Sequence, residues 1–118
     1  MMMKITEKEL ERKWFRRRLK DITADSNGER DISGHLKVYP TYISHVTVDE
    51  NSTYMPEDNN TGAVLIATSG QGWVDIDSYS ERIRKKDIFC IFPGVKYSVW
   101  TDENDSLKLM RFRYTNSK

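Results

Sequence analysis

The sequence of 118 residues has one cysteine, two histidines and three prolines. A lone cysteine closes no disulfide within its own chain, so Cys90, set in an apolar run, reads as a small core hydrophobe. Two histidines fall short of the converging imidazole sets that transition metals favour. No apolar run approaches the ~20 residues that span a bilayer. The charged N-terminal stretch does not read as a secretory signal. Together these gaps point to the cytosol and to no membrane role. A Ser/His/Asp arrangement at a strand-to-helix turn is missing, and so is a phosphate-binding glycine loop. No enzymatic activity and no cofactor are expected from such a chain. Asn51-Ser52-Thr53 and Asn59-Asn60-Thr61 then read as chance glycosylation triplets.

Strong net charge is also missing, at +1 overall. That balance conceals a sorting along the chain. Residues 1–20 hold eight Lys/Arg against three Glu, whereas the remainder holds 11 against 15 acidic residues. With 37% hydrophobic and 31% charged residues, the composition is that of one folded domain.

The basic third begins with Ile5-Thr6-Glu7-Lys8-Glu9-Leu10, a capping box flanked by staple positions. On a helical wheel Leu10, Trp14, Phe15, Leu19 and Ile22 share one side, and Arg12, Lys13, Arg16, Arg17 and Lys20 the other. The pattern predicts one amphipathic helix over residues 7–22. Its cationic face offers contacts to nucleic-acid phosphates or to an acidic partner. An anionic membrane surface is a further reading, with Trp14 and Phe15 as anchors. The competing reading is a solvated face whose apolar side packs on the rest of the protein.

Residues 23–34 (TADSNGERDISG) read as a polar linker. The period then changes from 3.6 to 2. Leu36/Val38, Ile43–Val48, Ala63–Thr68, Trp73–Ile76, Glu81–Arg84, Ile88–Phe92, Val95–Val99 and Leu107–Tyr114 read as short strands. Pro40 parts the first two, Ser69–Gly72 forms a hairpin turn, and Pro93-Gly94 a corner. Closely spaced strands with regular turn signals predict an all-β sandwich or small barrel. The expected division is a basic helix with its linker over residues 1–34 and a barrel over 35–118.

The stretch LIATSGQGWVDIDSYSERIRKKDIFCIFPGVKYSVW, with the closing Arg111-Phe112-Arg113-Tyr114, resembles the second half of a cupin barrel. It is similar in particular to the N-terminal sensor domain of AraC-type transcription regulators. The resemblance covers residues 54–114 and implies a jelly-roll, double-stranded β-helix barrel behind one N-terminal helix. Where metal-binding cupins carry a histidine, this chain has Tyr97. Their first ligand motif falls near Glu57, Asn59 and Ala63, none of which matches it. His35 and His45 lie outside both motifs. The resemblance therefore implies no metal, and a small-molecule effector held by Tyr97 and Trp73 with Glu57 and Asn59 at the mouth. It also implies a homodimer that meets DNA indirectly, through C-terminal helices in a longer regulator, or a stand-alone relative. Tyr97 can instead plug a packed barrel, and Trp73 and Trp100 can be core or rim. Two further alternatives stay open: a metal-dependent cupin enzyme (a dioxygenase or isomerase), and an interaction module working through the basic helix.

Overall fold

The computed structural model describes residues 5–32, 38–56 and 60–116, with backbone alone for 38–41 and 116. The capping box forms as its residue types dictate. The Thr6 amide donates to Glu9 Oε1 at 2.9 Å, and the Glu9 amide to Thr6 Oγ1 at 3.2 Å. The helix it starts, α1 (Glu7–Arg12), is one and a half turns long and stops at Lys13, in the left-handed region at φ 67°. The helix expected over residues 7–22 therefore needs correcting. From Trp14 to Arg18 the chain is a strand, β1, paired antiparallel with β6 (Asp87–Ile91) from Trp14 opposite Ile91 to Arg18 opposite Asp87. The cause is the open edge of β6, a row of backbone donors and acceptors that a neighbouring strand can satisfy. Side chains then follow period 2. Trp14 and Phe15 are both buried, on opposite faces of the sheet, while Leu10 and Leu19 stay exposed.

The remaining strands are β2 (Val38–Val48), β3 (Thr53–Tyr54), β4 (Gly62–Ile76), β5 (Tyr79–Arg84), β7 (Tyr97–Trp100) and β8 (Leu107–Asn116). Every pairing is antiparallel. Two strands are longer than expected. Pro40 does not divide β2, which absorbs it at an irregularity between Pro40 and Tyr42 in the ladder to β8. Gly70-Gln71-Gly72 is no hairpin either, because β4 runs through it. The β4–β8 register shifts between Ala67 and Ser69, a bulge at Thr68, and just beyond it Gly70, at φ 79°, lies so close to β8 that a Cβ there would collide with the Ser106 carbonyl. The bulge turns one strand from a first sheet, with β6 and β8, into a second, with β5 and β7. The corner at Pro93-Gly94 forms as expected, with Gly94 at φ 88°.

The two sheets enclose one cluster that includes Leu65, Val74, Ile76, Ile83, Phe89, Val99, Leu107 and Leu109. A second cluster lies on the other face of the first sheet: Phe15, Ile22, Val64, Ile88, Cys90 and Tyr114, with Ile5 and Ile32 packed against it. Cys90 lies 3.6 Å from the Tyr114 hydroxyl, and burial pushes its thiol up to about 11, against a smaller opposing effect of that hydrogen bond. It is a protonated core residue, not a nucleophile. Gly62 has a packing role, since a Cβ there would enter the Tyr114 ring. The N-terminal segment is tied down by the ion pair of Arg17 with Glu9, Nη1–Oε2 2.7 Å and Nη2–Oε1 2.9 Å.

Candidate functional site

Strand alternation decides what faces the space between the sheets. On β8 the inward set is Leu107, Leu109, Arg111 and Arg113. Opposite them on β2 lie Val48, Val46, Ser44 and Tyr42. Burial falls steadily along this ladder. Leu107 and Leu109 are sealed, Arg111 is 6% exposed, Arg113 is half-buried, and Tyr42 is 52% exposed. The barrel is therefore filled at the Leu107 end and opens at the Tyr42 end, with Arg111 at the boundary.

Tyr97 reaches that boundary from the second sheet. It is 9% exposed and points inward with Val99, as the alternation after the Pro-Gly corner requires. Arg111 Nε donates to its hydroxyl at 2.8 Å, a bond that crosses from one sheet to the other. Burial pushes the Tyr97 phenol up to about 12, partly opposed by the Arg111 charge, so the hydroxyl is neutral near pH 7. Tyr54, opposite Val99, packs against the same inner cluster. The Arg113 guanidinium lies 4.0 Å from the Tyr42 ring centroid at the open end. The lining is thus phenols and guanidinium groups over an aliphatic floor.

Trp73 does not share this space. Its neighbours Val74 and Ile76 face inward, and Trp73 lies on the outer face, stacked on Trp100 at 5.5 Å and 11° beneath the Arg82 guanidinium. Glu57 and Asn59 lie outside the described residues, as does His35. His45 is exposed, on a position of β2 that alternates away from the interior. Among the described residues no three His, Cys, Asp or Glu side chains gather as a metal site.

The five cations of the N-terminal region are dispersed by the change from helix to strand. Arg12 lies over Trp14 at 3.8 Å, and Arg16 meets Glu81 at 3.4 Å. Arg17 is buried with Glu9, while Lys13 and Lys20 stay exposed. Arg111 and Arg113 entered the sequence analysis only as part of the closing strand, and neither they nor Tyr42 and Tyr54 were named as site residues. The signal that finds the two arginines is period 2 along residues 107–113, which puts both on the side of Leu107 and Leu109.

No protein-family model matches the sequence, and no curated protein matches it. Solved structures do. A Cupin 2 conserved barrel domain protein from Salinispora arenicola superposes with TM-score 0.58 at 11% identity, over 82% of this chain and 89% of that one. A predicted oxalate decarboxylase from Thermotoga maritima gives TM-score 0.58 at 12% identity, over 64% of this chain and 67% of the other. The polyketide cyclase RemF of Streptomyces resistomycificus gives 0.57 at 9% identity, over 97% and 70%. Two more similar structures are matched over only 63% and 60% of their own length. At such identities the likeness establishes the fold. The chain has an all-β, cupin-like barrel fold with a short N-terminal helix.

Proposed function

We propose that this cupin barrel is a non-enzymatic sensor domain that holds a small-molecule effector at its open end, as AraC-type sensor domains do. The observation carrying this reading is the Tyr97–Arg111 pair. Two hydrogen-bonding side chains from different sheets meet at the boundary between a sealed aliphatic floor and an open mouth. Concave sites of this kind draw affinity from apolar enclosure and selectivity from a few placed polar groups. An effector bridging the two sheets would couple occupancy to their relative position, the property a sensor needs. We further propose dimerisation and a cytosolic location. Among the described residues no helix is long and apolar enough to cross a membrane.

A thermal-shift screen of small polar metabolites tests the reading. A compound that raises Tm in the wild type should lose most of that effect in Tyr97→Phe, which removes only the hydroxyl. Stabilisation that survives in Tyr97→Phe would mean that the compound sits elsewhere. Stoichiometric iron, manganese or zinc in untagged protein would instead favour a metal-dependent enzyme. Sedimentation equilibrium showing monomer at every concentration would remove the dimer.

A further inference from the structure

We infer that the ligand of this barrel is an anion, a small carboxylate-bearing molecule, anchored by the Arg111 guanidinium. The inference rests on the reading of the open end as a ligand site and adds the chemical class of what binds there. Arg111 is the reason. It is a permanent cation, 94% withdrawn from solvent, on the inner face between Ser44 of β2 and Leu65 of β4. Among the described residues its side chain makes one hydrogen bond, from Nε to the neutral Tyr97 hydroxyl, and no ion pair. A buried charge ordinarily has a counter-charge, because desolvation without one is costly. A phenol supplies an acceptor but no negative charge.

The contrast within the chain is direct. Arg17, equally buried, is bound by both oxygens of Glu9. For Arg111 the Nη1 and Nη2 groups are without a partner among the described residues, yet they are not sealed from solvent. With Nε held by Tyr97, the outer edge of the guanidinium stays available as a two-donor fork, the geometry that takes both oxygens of a carboxylate. Leu65 beside it, Val99 in the same inner cluster, and Tyr42 and Tyr54 toward the rim suit an apolar or aromatic body behind that carboxylate.

The test compares benzoate with benzamide, which has the same shape without the charge, by thermal shift and isothermal titration calorimetry. Wild-type protein should bind benzoate and not benzamide. Arg111→Gln should weaken benzoate binding at least about tenfold, as expected for loss of charge-assisted hydrogen bonds. Arg111→Lys, which keeps the charge but not the fork, should fall between the two. Far-UV circular dichroism confirms that each variant is folded. Equal binding of benzamide, or benzoate binding unchanged in Arg111→Gln, would overturn the inference. If uncharged compounds alone bind, and do so through Tyr97, the anion is wrong and the sensor pocket stands. If neither benzoate nor any screened compound binds, both readings fall.

Discussion

Glu9 shows how much one side chain holds together in this chain. Its carboxylate closes the capping box at Thr6 and grips the buried Arg17 of β1, so it joins helix start to sheet edge. Burial works against its ionisation, but the Arg17 and Thr6 hydrogen bonds outweigh it and hold the carboxyl below its ordinary value. A group with a lowered folded pKa adds stability above its unfolded pKa, ~4.3, and loses it as pH falls through the folded value. Glu9→Gln should therefore cost about 2 kcal/mol near neutral pH, for bonds to a charged group. The gap from wild type should narrow in acid. Urea denaturation of both proteins between neutral and acid pH measures it. A gap that widens on acidification would mean that Arg17 does not hold the Glu9 carboxylate in its charged form.

The N-terminal strand is the element on which sequence and structure part. Trp14 is sealed between the sheets, stacked on Phe89 at 5.9 Å with Tyr79 edge-on at 5.3 Å. Trp14→Ala should cost about 3 kcal/mol or more by denaturant titration, as large-to-small changes in a packed core do. A loss under about 0.5 kcal/mol, usual for a surface position, would mean that β1 is not part of the barrel. The cap at Thr6 was legible because a capping box is local, a matter of four adjacent residues. The end of the helix was not. Trp14, Phe15 and Leu19 satisfy a helical wheel, but the free edge of β6 that captures Trp14 and Phe15 is made more than seventy residues later in the chain. The bulge at Thr68 was hidden for a similar reason. The glycines that follow it, Gly70 and Gly72, suit a hairpin as well as a continuing strand, and only the ladder to β8 selects the strand.

At the scale of the molecule, alternation and the Pro-Gly corner made the all-β architecture and the inward aim of Tyr97 legible, while the cupin-like form of the barrel came from the resemblance carried by residues 54–114. The partner of Tyr97 was not. Arg111 lies 14 residues away in the opposite sheet, and period 2 gives a side chain's face but not what it meets across the barrel. Trp73 failed to join the site because it stands one residue out of phase with the inward Val74. The barrel is closed at one end and cationic where it opens. The most direct measurement is a crystal structure of the wild-type protein grown with benzoate. The account predicts carboxylate density within hydrogen-bonding distance of the Arg111 guanidinium, its ring toward Tyr42 and Tyr54. Benzoate bound only elsewhere, with the mouth filled by the chain's own side chains, would contradict it.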